Sequence, residues 1–168
     1  MCSSDLKRLE LGALLHDIGK IGIPESILTK PGRLTAGERR VMESHPALGE
    51  QIIAPIDRLQ DVRPIVRHCH ERWDGRGYPQ GLGGQDIPWA ARVISVADTL
   101  DALTSARPYR DAISFEAAAV EIMRCSETQF DPDVAKAAAK IDPDEWGLIR
   151  EQAESTDPTF DSLVAGYL

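Results

Sequence analysis

The chain has 168 residues, 42% of them hydrophobic and 27% charged, with a formal net charge of −8; that suffices for one domain with a sizeable core and is too short for two comfortable ones. The apolar content excludes a disordered chain, and the acidity argues against a broad basic surface for nucleic acid polymers, where many Lys and Arg must replace condensed counterions. No apolar run approaches the roughly 20 residues that span a bilayer, no signal-peptide core opens the chain, and Cys2, Cys69 and Cys125 form no C-x-x-C pair, so a reduced, cytoplasmic setting is expected.

Residues 1–6 read MCSSDL and sit awkwardly before a strongly periodic segment. They match the translation of a common sequencing adapter in one frame, so they are read as non-native or as a frayed terminus with Asp5 near a helix cap. Leu6, Leu9, Ala13, Leu14 and Ile18 recur at helical spacing and predict a helix with that face buried, ending near Gly19 and Gly22 with HDIGK at its C-terminal end. Pro24, Pro31 and Gly32 punctuate a loop. Thr35-Ala-Gly-Glu38 carries the capping-box pattern and opens a helix towards His45. Pro46 suits the first turn of a continuing helix with Leu48, Ile52, Ile53 and Ile56 inward.

Residues 61–70 predict a short helix with Pro64 in its first turn and Ile65, Val66 and Cys69 on the apolar side. Gly75, Gly77, Gly81, Gly83 and Gly84, with Pro79 and Pro88, then forbid helix and shape a loop. The widest apolar stripe follows Pro88: Ala91, Val93, Ile94, Val96, Ala97, Leu100 and Leu103, a central helix that also carries Asp98 and Asp101. The chain leaves it through Arg107-Pro-Tyr-Arg110. Three more helices are predicted over 114–125, 132–141 and 143–153, the last two opened by Asp-Pro pairs, and no strand alternates convincingly. The expected organisation is a helical domain over residues 7–155 followed by a weakly patterned tail over 156–168. Met42 and Met123 are read as core fill.

All the histidines lie between His16 and His70, each beside a helix end or loop, and Asp98 sits mid-helix on an otherwise apolar element. A carboxylate there is costly to bury without a cation or hydrogen bonds. Imidazole with carboxylate suits iron, manganese or zinc, and bundles build such sites from several helices. A hydrogen-bonded core His or Asp is the competing reading, as is a solvated cationic surface for Lys20, Arg107 and Arg110.

The ordered motifs shift that balance. HDIGK at 16–20, His45-Pro-x-x-Gly49, His70-Glu-Arg-x-Asp-Gly-x-Gly-Tyr-Pro79 with Gly81-Leu82, Val96-Ala-Asp98-x-x-Asp-Ala102 and Arg107-Pro-Tyr-Arg110 together resemble the HD-GYP subgroup of the HD phosphohydrolases. The resemblance implies an all-α, HD-type helical bundle with a glycine-rich GYP loop. It further implies hydrolysis of cyclic di-GMP at a site of two or three metals, taken here as two divalent ions, iron or manganese first and zinc next. Carried over by motif, His16, Asp17, His45, His70 and Asp98 match metal ligands, Lys20 matches a catalytic or substrate-linked lysine, and Arg107 and Arg110 match phosphate-contacting positions. Asp101 is assigned to substrate or to orienting a ligand. Tyr78 and Trp73 are assigned either to stacking on guanine or to fixing the loop, and Glu71 with Arg72 to an adjacent ion pair. The Gly77-Tyr78-Pro79 loop implies contacts with diguanylate cyclase domains, and an upstream sensory or receiver domain is expected.

Two departures stand out. Family members usually carry a His doublet where this chain has Cys69-His70, so Cys69 is either a thiolate ligand or a neutral buried thiol that leaves a metal one ligand short. The superfamily also draws a further His from a helix upstream of HDIGK, where this sequence has only Asp5 and Glu10 as acids and no histidine. An N-terminally truncated fragment is therefore expected. The alternative to a phosphodiesterase is an impaired module that binds cyclic di-GMP or a cyclase partner.

Overall fold

The computed structural model describes residues 3–106 and 111–155. Helices α1 (Ser3–Leu15), α2 (Glu25–Leu28), α3 (Ala36–Met42), α4 (His45–Ile53), α5 (Arg63–His68), α6 (Trp89–Thr104), α7 (Phe115–Arg124), α8 (Pro132–Ala138) and α9 (Pro143–Ser155) follow in order, with short 3₁₀ turns at Ile18–Gly22, Asp57–Leu59 and Gly84–Asp86. Among the described residues the only β pairing is an isolated bridge between Ser126 and Phe130. The fold is all-α, as the periodicity predicts. No helix among these residues is long and apolar enough to cross a membrane.

Local chemistry sets the helix starts. The Thr35 hydroxyl accepts the Glu38 amide at 3.3 Å while the Glu38 carboxylate accepts the Thr35 N–H at 2.7 Å, which closes the capping box of α3. Ser114 caps α7 through the Ala117 amide, and Asp131 caps α8 through the Asp133 and Val134 amides. One helical turn, α2, forms inside the stretch read as loop, started by Pro24 and ended at Thr29.

Helix α6 is the spine. On one side Val96 and Leu100 pack with Ala118, Ile122, Phe130 and Ala135 of the α7–α8 half. On the other, Ile94 joins Ile65 and Cys69 at the end of α5. A further cluster of Ile53, Val62 and Val66, with Leu11, Leu15 and Ile18 against it, ties α1, α4 and α5 together. Each fully buried aliphatic side chain in these clusters contributes about 1.5–3 kcal/mol.

Several predicted faces are corrected. Helix α1 starts at Ser3 and ends at Leu15, and its inward residues are Leu11, Gly12 and Leu15, whereas Leu6 and Leu14 are exposed. Gly12 sets this rotation, because a Cβ there would lie 2.6 Å from Ile65 Cγ2 and 3.1 Å from Ile94 Cδ1. On α4 only Ile53 of the predicted set is buried; Ile52 and Ile56 are exposed. Met123 is exposed on α7 and fills no core.

Candidate metal centre

The HDIGK segment folds as a sharp turn because two backbones touch. Where α1 ends, the chain drops into the Ile18–Gly22 turn and lies against α4. A Cβ on Gly19 would sit 1.9 Å from the His45 carbonyl oxygen and 2.5 Å from the Gly49 amide nitrogen. Gly49 in turn approaches Gly19 N and Val66, so HD-x-G and H-P-x-x-G are the two halves of one glycine contact. That contact brings Asp17 beneath His45.

Around Asp17 the imidazoles converge. Oδ1 lies 3.1 Å from His45 Nε2 and 3.7 Å from His70 Nε2, and Oδ2 lies 3.3 Å from His16 Nε2 and against Lys20 Nζ. Asp98 of α6 enters from the other side, 3.8 Å from His16 Nε2. Donor atoms of Asp17, His45 and His70 all fall within 4.8 Å of one another, a group that could hold a metal ion. Burial pushes the Asp17 carboxyl up, but the three imidazoles and Lys20 outweigh it and hold it far below the usual carboxylate range. Asp17 in turn raises His16, against the opposing effect of burial.

The geometry is unfinished as protein alone. His16 Nδ1 donates to the Ala13 carbonyl at 2.6 Å and His45 Nδ1 to the Met42 carbonyl at 2.8 Å, which fixes the tautomer and leaves a lone pair on each Nε2. When the rings are neutral, those lone pairs face carboxylate oxygens. Nε2 of His16, His45 and His70 and Oδ1 of Asp17 are buried without a hydrogen-bond partner, and each such atom costs roughly 1–3 kcal/mol. A divalent cation among them removes the lone-pair repulsion and satisfies all of these atoms together, so the donor set fits a metal.

The glycine loop closes over this centre. Glu71 has a fully buried side chain; its Oε1 accepts the Gln80 amide at 2.8 Å and its Oε2 the Leu82 amide at 3.1 Å. The expected Glu71–Arg72 pair is therefore replaced: Arg72 pairs with Asp74 at 2.8 Å, and Glu71 serves the loop backbone. At Gly77 a Cβ would meet Arg72 N at 2.4 Å and Glu71 Cα at 2.5 Å, so only glycine lets the loop fold back on its own start. The Tyr78–Pro79 peptide is cis. The Tyr78 ring stacks on His70 with centroids 5.2 Å apart, and burial pushes its hydroxyl up, so it stays a neutral donor. Trp73 lies beside the Arg92 guanidinium, 5.9 Å from its ring centroid.

The remaining predicted residues are dispersed. Cys69 is buried with Sγ against the Val66 carbonyl at 3.3 Å, and burial pushes its thiol well above the ordinary range. His68 is turned to Glu71 at 3.5 Å, away from the Asp17 cluster. Asp101 accepts the Ser105 hydroxyl at 3.0 Å, faces Arg150 at 3.5 Å and is largely exposed. Arg107 and Arg110 lie outside the described residues. A cavity of about 230 Å³ opens beside His70 and Asp98, bordered by Arg72, Ser95, Thr99 and Gln129. The loop-anchoring role of Glu71 leaves no local pattern in the sequence, because its amide partners lie nine and eleven residues on.

A helical bundle with an imidazole–carboxylate centre under a glycine loop defines an HD-type domain, and the HD domain family matches residues 1–134. The chain belongs to that family, within its HD-GYP subgroup. It is 44% identical over 135 residues to the cyclic di-GMP phosphodiesterase response regulator RpfG of Xanthomonas campestris, covering 79% of this chain and 35% of that protein. It is 37% identical over 158 residues to 3'3'-cGAMP-specific phosphodiesterase 3 of Vibrio cholerae, covering 91% and 34%. The fold is similar to that of Bd1817, an HDG"Y"P protein from Bdellovibrio bacteriovorus, with a TM-score of 0.62 at 24% identity over 81% of this chain and 43% of that one. The chain thus spans about a third of the length of these curated relatives.

Proposed function

We propose that this domain hydrolyses a phosphodiester bond of cyclic di-GMP, as the output domain of a signalling protein, with two divalent ions held by His16, Asp17, His45, His70 and Asp98. The observation that carries this reading is the convergence of three imidazole Nε2 atoms and Asp17 Oδ1 without protein partners. The relatives named for cyclic di-GMP and for 3'3'-cGAMP support a cyclic dinucleotide as the substrate class. Iron or manganese suits this mixture of imidazole and carboxylate, and zinc is compatible with it. When bound, such ions supply Lewis acidity and a more acidic water.

The chain's own groups supply the rest. Asp17 stays ionised at neutral pH and can hold a cation, while Ala13 and Met42 keep His16 and His45 aimed at it. Lys20, paired with Asp17 Oδ2, sets a fixed positive charge where phosphoryl oxygens gain negative charge. Tyr78 presents a neutral hydroxyl as donor at the edge of the site. Arg107 and Arg110 are assigned to the phosphates, which a planar guanidinium can engage through two hydrogen bonds. Asp101, tied to Ser105, is assigned to the exit of α6. An upstream sensory or receiver region and a cyclase partner at the GYP loop belong to the same proposal.

The test is to load the purified chain with Mn²⁺ or Fe²⁺, measure metal by elemental analysis and follow cyclic di-GMP turnover by chromatography. Two metals per chain are expected, with turnover that disappears in a folded Asp17→Ala variant. Tight binding without turnover would replace the enzyme by a binding module. A wild-type chain that takes up no metal and no cyclic dinucleotide overturns the proposal.

A further inference from the structure

The three imidazoles at Asp17 are not held alike. His16 and His45 each have Nδ1 fixed by a backbone carbonyl, at 2.6 and 2.8 Å. His70 has no such bond among the described residues; its ring meets the edge of His45 at 4.8 Å between centroids and is stacked by Tyr78, near-parallel at 19° with centroids 5.2 Å apart. The Tyr78 amide also donates to the His70 carbonyl at 3.2 Å, so ring and backbone of His70 are both braced from the loop. The loop in turn hangs on Glu71. Its two carboxylate oxygens take the amides of Gln80 and Leu82, on the far side of Tyr78, and Gly77 packs on the Glu71 Cα.

We infer that Glu71 is a positioning residue for the metal centre: by pinning the loop it presses Tyr78 onto His70 and does for that ligand what the Ala13 and Met42 carbonyls do for His16 and His45. The inference rests on the metal-centre reading above. A carboxylate suits the task because a buried acceptor with two oxygens can take two amides at once, and charge-assisted hydrogen bonds of this kind are about twice as strong as neutral ones. Glutamine at this position keeps the shape but turns an NH₂ towards one of the two donating amides. The loop would lose one anchor, Tyr78 would ride higher, and His70 would sample orientations that miss the cation. Groups that orient metal ligands in this way typically change metal affinity by about 10- to 100-fold when altered.

The experiment is a chelator-competition titration of Co²⁺ on the full chain, with the visible absorption of the bound ion as a second readout. Wild type, Glu71→Gln, Tyr78→Phe, Tyr78→Ala and the Glu71→Gln/Tyr78→Ala double variant are compared. Glu71→Gln is expected to weaken Co²⁺ binding about tenfold or more and to shift its absorption. Tyr78→Phe, which keeps the ring on His70, is expected to stay within about twofold of wild type, and Tyr78→Ala to lose about as much as Glu71→Gln. Because both act through one stacked ring, the double variant should be no weaker than Tyr78→Ala alone. Wild-type affinity in Tyr78→Ala, or fully additive losses in the double variant, overturns the inference, and the Tyr78 pair decides it even if Glu71→Gln fails to fold. A wild-type chain that binds no Co²⁺ instead removes the metal-centre reading beneath it.

Discussion

Two carboxylates linked through His70, which Asp17 faces and Glu71 follows in the chain, have opposite surroundings. Glu71 is fully buried and its two oxygens are matched to two loop amides, whereas Asp17, about a third exposed, faces three imidazole nitrogens that lack hydrogen-bond partners. The Glu71 oxygens are satisfied within the polypeptide, with His68 Nδ1 the one unpaired atom beside them, whereas the Asp17 centre is complete only with something added. Satisfied polar burial marks architecture, and unsatisfied polar burial that converges on one point marks a binding centre. The proximity of the two teaches more than either alone, since the complete site supports the incomplete one.

The largest effect expected is at the glycine contact under Asp17. Gly19→Ala forces a Cβ into the His45 carbonyl oxygen and the Gly49 amide, both backbone atoms that cannot step aside without moving α4. A loss of about 4 kcal/mol in urea unfolding is expected, at the upper end for single substitutions. Metal binding should vanish with it. A variant that keeps wild-type stability would show that the turn relaxes freely, and the close-packed account of HDIGK would be wrong.

The two carboxylates themselves should separate stability from binding. In metal-free protein Glu71→Gln should cost about 1–3 kcal/mol, because a buried amide is left facing the wrong partner. Asp17→Asn should cost less than about 1 kcal/mol, since Asp17 and Lys20 are both partly exposed and their pair is screened. Yet Asp17→Asn should abolish metal uptake, while Glu71→Gln only weakens it. Paired thermal melts and metal titrations check this, and the reverse ranking of stabilities would erase the distinction between the two sites.

Much of this was readable along the chain. Caps at Thr35, Ser114 and Asp131 are local chemistry, so the helix starts they predict agree with the fold. The order of the motifs gave the family, and His16, Asp17, His45, His70 and Asp98 do come together. What was hidden depends on contact between distant segments. Periodicity alone does not set the rotation of α1, because Leu and Ala occupy both of its sides, and only the fit of Gly12 against Ile65 and Ile94 selects one. Glu71 beside Arg72 looks like an ion pair in sequence, and its true partners lie nine and eleven residues on.

The smallest effect expected concerns Cys69, placed where the family usually has a second histidine, between the complete site and the incomplete one. Burial holds its thiol protonated through neutral pH, and its sulfur faces the Val66 carbonyl. His16 is raised instead of lowered, chiefly by Asp17, so its proton stabilises the metal-free fold below about pH 6.5 and that contribution fades as pH rises through its folded value. A metal must displace this proton, and its affinity should therefore climb with pH until His16 is neutral and then level off. If Cys69 were also a ligand, a second proton with a much higher pKa would have to leave, and affinity would keep rising through pH 9. Mn²⁺ affinity from pH 5.5 to 9.5 is expected to give superimposable curves for wild type and Cys69→Ala, with only about 1 kcal/mol lost in stability from the small void. A wild-type curve that continues upward while the alanine curve flattens would make the thiol a ligand after all, and the boundary between the two carboxylate sites would then pass on the other side of Cys69.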